Sequence, residues 1–327
     1  MKKSIFGRTG LEISEIAFGG GVTGGILINE SEATRWAALQ RAVAGGINWI
    51  DTAPLYGNGT SEETIGRHLA VLSPRPHVST KVRLDRDDMA DIAGAIERSL
   101  EQSLKRLQLE RVALFQLHNQ IGTAVGDRPP LSPRLILGVV ADTFDRLKQQ
   151  GLIQASGISA VGSTSACLEV IESGRFDAAQ IYYNAINPSA AWSRTTAEWK
   201  GQEFCGIIAA CWRLNMGMLA IRVLAGGPLA SPRRPERLAL MTSDTDLDNE
   251  VRCAAAARAA LGADYGTPAQ VALRFTLGNR DLSSRVIGIS ELDQLDEALA
   301  AVERGPLPPE GIAKLDQLWA TDFYMNA

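Results

Sequence analysis

"AFGGGVTGG", residues 17–25, admits two folds. Gly19, Gly21 and Gly24 satisfy G-x-G-x-x-G, the spacing at which a Rossmann turn carries a strand into a helix whose first amides meet a pyrophosphate. That reading needs the helix to open on the last glycine. Here helical spacing begins only near Ser31, an N-cap in "SEATRWAAL", where a short polar side chain satisfies the first free amides. The glycines therefore read as the first βα loop of a barrel, in which missing side chains permit close approach. In a chain with 31 glycines the motif's letters are a coincidence.

Outward from this loop, strand-like runs alternate with longer amphipathic segments without a linker-like change of composition. The runs are "EIAFGG", "GINWID", "HVSTKV", "RVALFQLH", "LIQASGIS", "DAAQIYY", "GMLAIRV" and "SSRVIGIS". Seven helical segments lie between them, among them "DIAGAIERSLEQSLKRL" and "RLILGVVADTFDRLKQQG", and "ELDQLDEALAAVE" follows the last. This is the order of an α/β (β/α)8 TIM barrel, whose reactive groups stand where strands end and βα loops begin. The opening "KKSIFGRTGLEIS" predicts an N-terminal β-hairpin around "RTG", plugging the barrel floor. Residues 1–327 are expected to form one such domain. Two long βα loops, 119–133 and 224–249, are expected to wall the C-terminal mouth; the second carries Arg233, Arg234 and Arg237 as candidate contacts to a phosphorylated ligand.

With 33 basic and 37 acidic side chains, a formal charge of −4, the chain offers no broad attraction to nucleic acid or anionic membrane. Cys167, Cys205, Cys211 and Cys253 have no C-x-x-C pairing, so free thiols in a reducing compartment are expected. "MKKSIFGRTG" lacks an apolar run behind its lysines, and no stretch approaches a membrane span. The chain reads as cytoplasmic, with neither nucleic acid nor membrane as partner and no metal.

Four side chains able to move protons fall at strand ends: Asp51 and Tyr56 in "WIDTAPLYGNGTSEETIG", Lys81 in "STKV" and His118 in "FQLHN". Each alone has a structural explanation, as a cap, a rim residue, a solvated cation or a bonded ring. Ends of three successive barrel strands are neighbours, and together the four make a proton-transfer set. A phenol near pKa 10 is a poor donor at neutral pH, and a nearby ammonium stabilises its phenolate. Lys81 suits that task, and Asp51 supplies the countercharge that a lysine in a barrel mouth requires. His118 can donate a hydrogen bond to a carbonyl oxygen as charge develops there.

On D-T-A-x-x-Y-G-x-G-x-S-E-x-x-I-G, "STKV", "LHN" and the C-terminal glycine-and-helix segment, the whole chain resembles the aldo-keto reductase family. The resemblance implies a tetrad of Asp51, Tyr56, Lys81 and His118. It also implies a nicotinamide cofactor exchanging hydride with a small-molecule aldehyde, ketone, sugar or alcohol. NADP(H) is the first choice and NAD(H) a close alternative. By the same resemblance Gly20 and Gly21 approach the cofactor, Ser159 and Gln180 bind the nicotinamide carboxamide, and Gly288, Ser290, Gln294 and Glu297 form the adenosine-phosphate segment. Ala160 and Ala298 stand where relatives carry asparagine. Ile221 or Arg222 replaces the aromatic residue that relatives stack on the nicotinamide. Monomer is the family default. Trp49, Leu55 and the long loops suggest a partly apolar substrate wall. Two rival readings are a two-domain Rossmann dehydrogenase and a nicotinamide-binding regulatory or channel-associated subunit with little turnover.

Overall fold

The computed structural model describes residues 1–122, 129–233 and 246–323. Eight parallel strands close into a barrel: β3 (Ile16–Gly19), β4 (Trp49–Asp51), β5 (His77–Val82), β6 (Val112–Leu117), β7 (Ile153–Ala160), β8 (Ala178–Tyr182), β9 (Gly217–Ile221) and β10 (Ser284–Gly288). Closure is made by β10 pairing with both β9 and β3. All eight predicted strands are present, seven of them within two residues of their expected ends, while "GINWID" is extended only from Trp49. Before them, β1 (Lys3–Ile5) and β2 (Glu12–Ser14) form the antiparallel hairpin.

The hairpin closes the floor. Phe6 is fully buried in a cluster with Ile13, Trp49, Leu114 and Leu219, and its ring lies 5.0 Å from that of Trp49. The turn at Gly7 reaches β9 so closely that a Cβ there would lie 2.2 Å from the Gly217 amide nitrogen. The larger core lies outside the barrel, where strand side chains such as Phe115 and Ile158 meet Phe144, Ile171 and Leu100 of the surrounding helices. Strand alternation separates the two cores, since successive side chains point to opposite faces.

The helical layer is richer than the sequence pattern indicates. Helix Glu32–Ala44 opens as predicted, with the Ser31 hydroxyl accepting from the Thr34 amide. A single turn, Ile26–Asn29, precedes it directly after the glycines. Two helices, Leu247–Leu261 and Pro268–Leu277, lie between β9 and β10, and Pro309–Ala320 follows Leu292–Arg304. The predicted helix over 134–151 is broken: Pro133–Leu135 passes into a wide turn, Ile136–Val140, before Ala141–Gln149. The break falls at Gly138, whose φ −89° and ψ −110° are not helical, and glycine is a weak helix former.

The opening glycines fit this architecture. A Cβ on Gly24 would stand 2.2 Å from the Ile289 amide nitrogen, and the Ile26 amide donates to the Ile289 carbonyl at 3.1 Å. The first βα loop is thus pressed backbone to backbone against the end of the last strand, which requires glycine without any Rossmann turn.

Candidate active site

The tetrad meets at the carboxyl ends of β4, β5 and β6. Lys81 is fully buried and spends its ammonium on three acceptors: Asp51 Oδ2 at 2.6 Å, the Thr52 carbonyl at 2.8 Å and the Tyr56 hydroxyl at 3.3 Å. Asp51 Oδ1 accepts from Ser79 Oγ at 2.8 Å, Gln180 Nε2 at 3.0 Å and Gln116 Nε2 at 3.3 Å. Ser79 Oγ also accepts from Trp49 Nε1 at 2.9 Å, so a polar chain runs from the floor cluster to the ion pair. His118, the residue after β6, sets its ring edge-on to Tyr56 with centroids 5.9 Å apart.

The loop that delivers Tyr56 is fixed from below. Thr52 and Ser61 hydroxyls bond at 2.8 Å, and the buried Glu62 carboxylate accepts from Thr80 at 2.5 Å and from Arg106 at 2.7 Å. The serine and glutamate of the "GTSEETIG" segment therefore anchor the loop rather than reach the cleft. Gly21 lies against the Tyr56 ring, where a Cβ would sit at ordinary contact distance, 3.5 Å from its carbons.

Burial is the largest influence on Tyr56 and raises its phenol above the usual value; Lys81 opposes this, and Asp51 adds to it. The sequence expectation was a phenol lowered by Lys81. The lysine does pull in that direction, but desolvation outweighs it. Burial also weighs most on Lys81 and acts to lower it, yet Asp51 and then Tyr56 together carry it above its ordinary value. Both groups hold their protons more tightly folded than unfolded. Their contribution to stability is therefore full below about pH 10 and is lost as pH rises through the folded values.

Above the tetrad opens a cleft of about 590 Å³. Of the predicted cofactor residues, Gly21, Asp51, Ser159, Gln180, Arg222, Gly288, Ser290, Gln294 and Glu297 all line it. Gly20 does not. Its amide donates to the Asp51 carbonyl at 2.8 Å, and a Cβ would strike Ser61 Oγ at 2.5 Å, so it is a packing glycine. Leu55 lines the cleft, but Trp49 lies in the floor cluster and is no part of the substrate wall. Arg233 is exposed, and Arg234 and Arg237 fall outside the described residues.

The cleft suits a nicotinamide nucleotide. Ser159 Oγ is buried with no hydrogen-bond partner among the described residues, and Gln180 keeps its carbonyl oxygen for an amide donor while its nitrogen holds Asp51. Gly24 and Gly288 line the far wall, packed on each other backbone to backbone. At the β10 end of the cleft, the Ser290 hydroxyl and amide both donate to Gln294 Oε1, and Thr267 donates to Glu297. Arg222 is held at φ +59°, an unfavourable conformation for a side chain of its size, with its carbonyl accepting from Asn184 Nδ2 at 2.9 Å.

Comparison with known proteins places the chain in a family. The model of the Aldo/keto reductase family matches residues 15–320. The chain belongs to the aldo/keto reductase family. This reductase is 27% identical over 303 residues to an L-galactose dehydrogenase of Arabidopsis thaliana, covering 90% of this chain and 86% of that one. It is also 27% identical to a D-threo-aldose 1-dehydrogenase of a Pseudomonas species, over 88% and 89% of the two chains. An aldo-keto reductase of Bacillus halodurans in its holo form superposes with a TM-score of 0.71 at 23% identity, over 99% and 98% of the chains. The protein is accordingly a nicotinamide-dependent oxidoreductase that transfers hydride between its cofactor and a carbonyl or alcohol substrate.

Sequence reasoning missed Ser79, which donates to Asp51, and two further site residues. Gln116, opposite Lys81 across β5 and β6, supports Asp51, and Arg83 lines the cleft two residues beyond Lys81. The two-residue strand period was the available signal for both.

Removing the ammonium leaves a carboxylate buried without its partner. Lys81→Met is expected to cost about 3–5 kcal/mol of stability by denaturant unfolding, and less than half of that in an Asp51→Asn background. An equal cost in both backgrounds would show that the two charges are not coupled.

Proposed function

We propose that Tyr56 is the proton donor, Lys81 and Asp51 its electrostatic support, and His118 the group that orients the carbonyl oxygen. The observation that carries this is the single ammonium shared by a carboxylate and the Tyr56 hydroxyl at the base of an open cleft. In the reducing direction Tyr56 gives its proton to the substrate oxygen, and Lys81 stabilises the phenolate left behind. Asp51 keeps Lys81 charged through the cycle. His118 donates a hydrogen bond to the same oxygen and fixes it within reach of the tyrosine. When bound, the nicotinamide supplies or takes up the hydride. Ser159 and Gln180 hold its carboxamide, and Gly288, Ser290, Gln294 and Glu297 its adenosine end.

NADP(H) is the first choice of cofactor, with NAD(H) close behind. No lysine or arginine of the described residues joins Ser290 and Gln294 at the adenosine end of the cleft. Glu291 precedes helix Leu292–Arg304 and is exposed, which supports a solvent-facing carboxylate over one turned toward a phosphate. Aldehydes, ketones and sugars are the substrate class, in keeping with the aldose and galactose activities named for the similar dehydrogenases. The whole chain acts as one barrel domain, monomeric and cytoplasmic. No helix among the described residues is long and apolar enough to cross a membrane.

Tyr56→Phe keeps the ring and removes the proton. Carbonyl reduction, followed by nicotinamide absorbance, is expected to fall by roughly 10²- to 10⁴-fold with nucleotide affinity retained. A near-parental rate where chemistry limits turnover would remove Tyr56 from this role, and intact nucleotide binding without turnover on any carbonyl would favour a regulatory protein.

Parallel kinetics with both nucleotides are expected to show discrimination below about 100-fold in kcat/KM, under roughly 2.7 kcal/mol. A thousand-fold preference would mean that another charged group reads the ribose.

A further inference from the structure

Arg83 follows directly on β5 and shares the inward face of Lys81, because residues two apart on a strand point the same way. It lines the cleft beside Leu55, Tyr56 and His118. These come from β4, β5 and β6 and their loops, the half of the mouth away from Ser159, Gln180, Arg222 and Gly288 on β7 to β10. If the nucleotide takes that second half, Arg83 faces the substrate.

The guanidinium is only partly committed. One terminal nitrogen donates to Asp85 Oδ2 at 3.1 Å, while Nε is buried with no hydrogen-bond partner among the described residues. The side chain is 24% exposed, so most of its surface is out of bulk water. A buried donor left without an acceptor is costly, and a ligand oxygen that fills the vacancy recovers that cost. Of the residues around it, Leu55 has no polar side chain and both ends of the Asn119 amide are spent on the Leu84 backbone, which leaves Arg83 as the cationic donor on this side of the cleft, with Gln120 as a neutral neighbour.

We infer that Arg83 determines substrate specificity, donating through its guanidinium to an acceptor oxygen on the carbon next to the reacting carbonyl. The favoured substrates are then oxygenated carbonyl compounds, whether the neighbouring oxygen belongs to a hydroxyl or a carboxylate. Plain alkyl aldehydes leave the donor unfilled. The inference rests on the roles given above to Tyr56 and His118.

Three aldehydes separate the cases: glyceraldehyde with a hydroxyl, glyoxylate with a carboxylate, and propanal with neither. For the wild-type enzyme, kcat/KM is expected to favour at least one oxygenated aldehyde over propanal by about tenfold or more, since a site built to donate discriminates against a substrate lacking the acceptor. In Arg83→Gln that ratio is expected to fall at least fivefold, chiefly through KM. The probe whose ratio falls identifies the hydroxyl or the carboxylate as the acceptor. Arg83→Lys, which keeps a cationic donor without the planar fork, is expected to lie between. Ratios that fall less than fivefold for both oxygenated probes overturn the assignment, as does a lysine variant no better than glutamine, which would reduce Arg83 to a space-filling role. Should Arg83→Gln not fold, a wild-type enzyme that takes propanal as readily as both oxygenated aldehydes overturns it alone. A wild-type protein that reduces none of the three overturns the assignment, and the roles of Tyr56 and His118 fall with it only if ketones and sugars are refused as well, so the two failures are distinguishable.

Discussion

A lysine and an aspartate, each almost wholly removed from water and 2.6 Å apart, set the terms for the rest of this site. Taking two charges out of water costs more than their attraction returns unless their remaining hydrogen-bonding capacity is also met. Here it is met on both sides. Lys81 has three acceptors, and Asp51 has donors from Ser79, Gln116 and Gln180 on its second oxygen. One of the lysine's acceptors is the Tyr56 hydroxyl, proposed to carry the reacting proton, which would couple the charge balance of the pair to the chemistry.

The barrel makes this arrangement possible by bringing distant segments into register. Asp51 pairs with Ser79, Lys81 with Gln116, and Ser159 with Gln180 along adjacent strands. Side chains from five strands therefore meet within one layer near the mouth, although they span more than a hundred residues of sequence. Support also comes from the floor, where the hairpin's Phe6 packs on Trp49, and the Trp49 indole reaches Asp51 through Ser79. Gln180 faces both ways, holding Asp51 with its amide nitrogen and lining the cleft where the nucleotide carboxamide is proposed to lie.

Much of this was legible in the sequence, and the misses have definite causes. The strand-helix alternation gave the barrel, and the D-T-A-x-x-Y-G-x-G-x-S-E-x-x-I-G segment gave the positions of Asp51 and Tyr56. Strand period fixes which face a residue occupies but not its depth along the barrel axis. Trp49 and Asp51 share a face, yet one belongs to the floor and the other to the mouth. Gly20 and Gly21 are adjacent glycines with different work, because one meets Ser61 and the other lies on the Tyr56 ring. Those contacts come from segments far along the chain and leave no local signature. The balance at Tyr56 was hidden for a similar reason, since the sequence names the neighbouring lysine but not the degree of desolvation that opposes it.

The central claim is that the buried pair is ionic and that Tyr56 holds the transferable proton beside it. Neutron diffraction on deuterium-exchanged crystals at neutral pH locates those protons directly. Three deuterons are expected on Lys81 Nζ, one on the Tyr56 hydroxyl and none on Asp51. A deuteron on the Asp51 carboxyl beside a neutral Lys81 amine, or a Tyr56 oxygen without one, would contradict that claim.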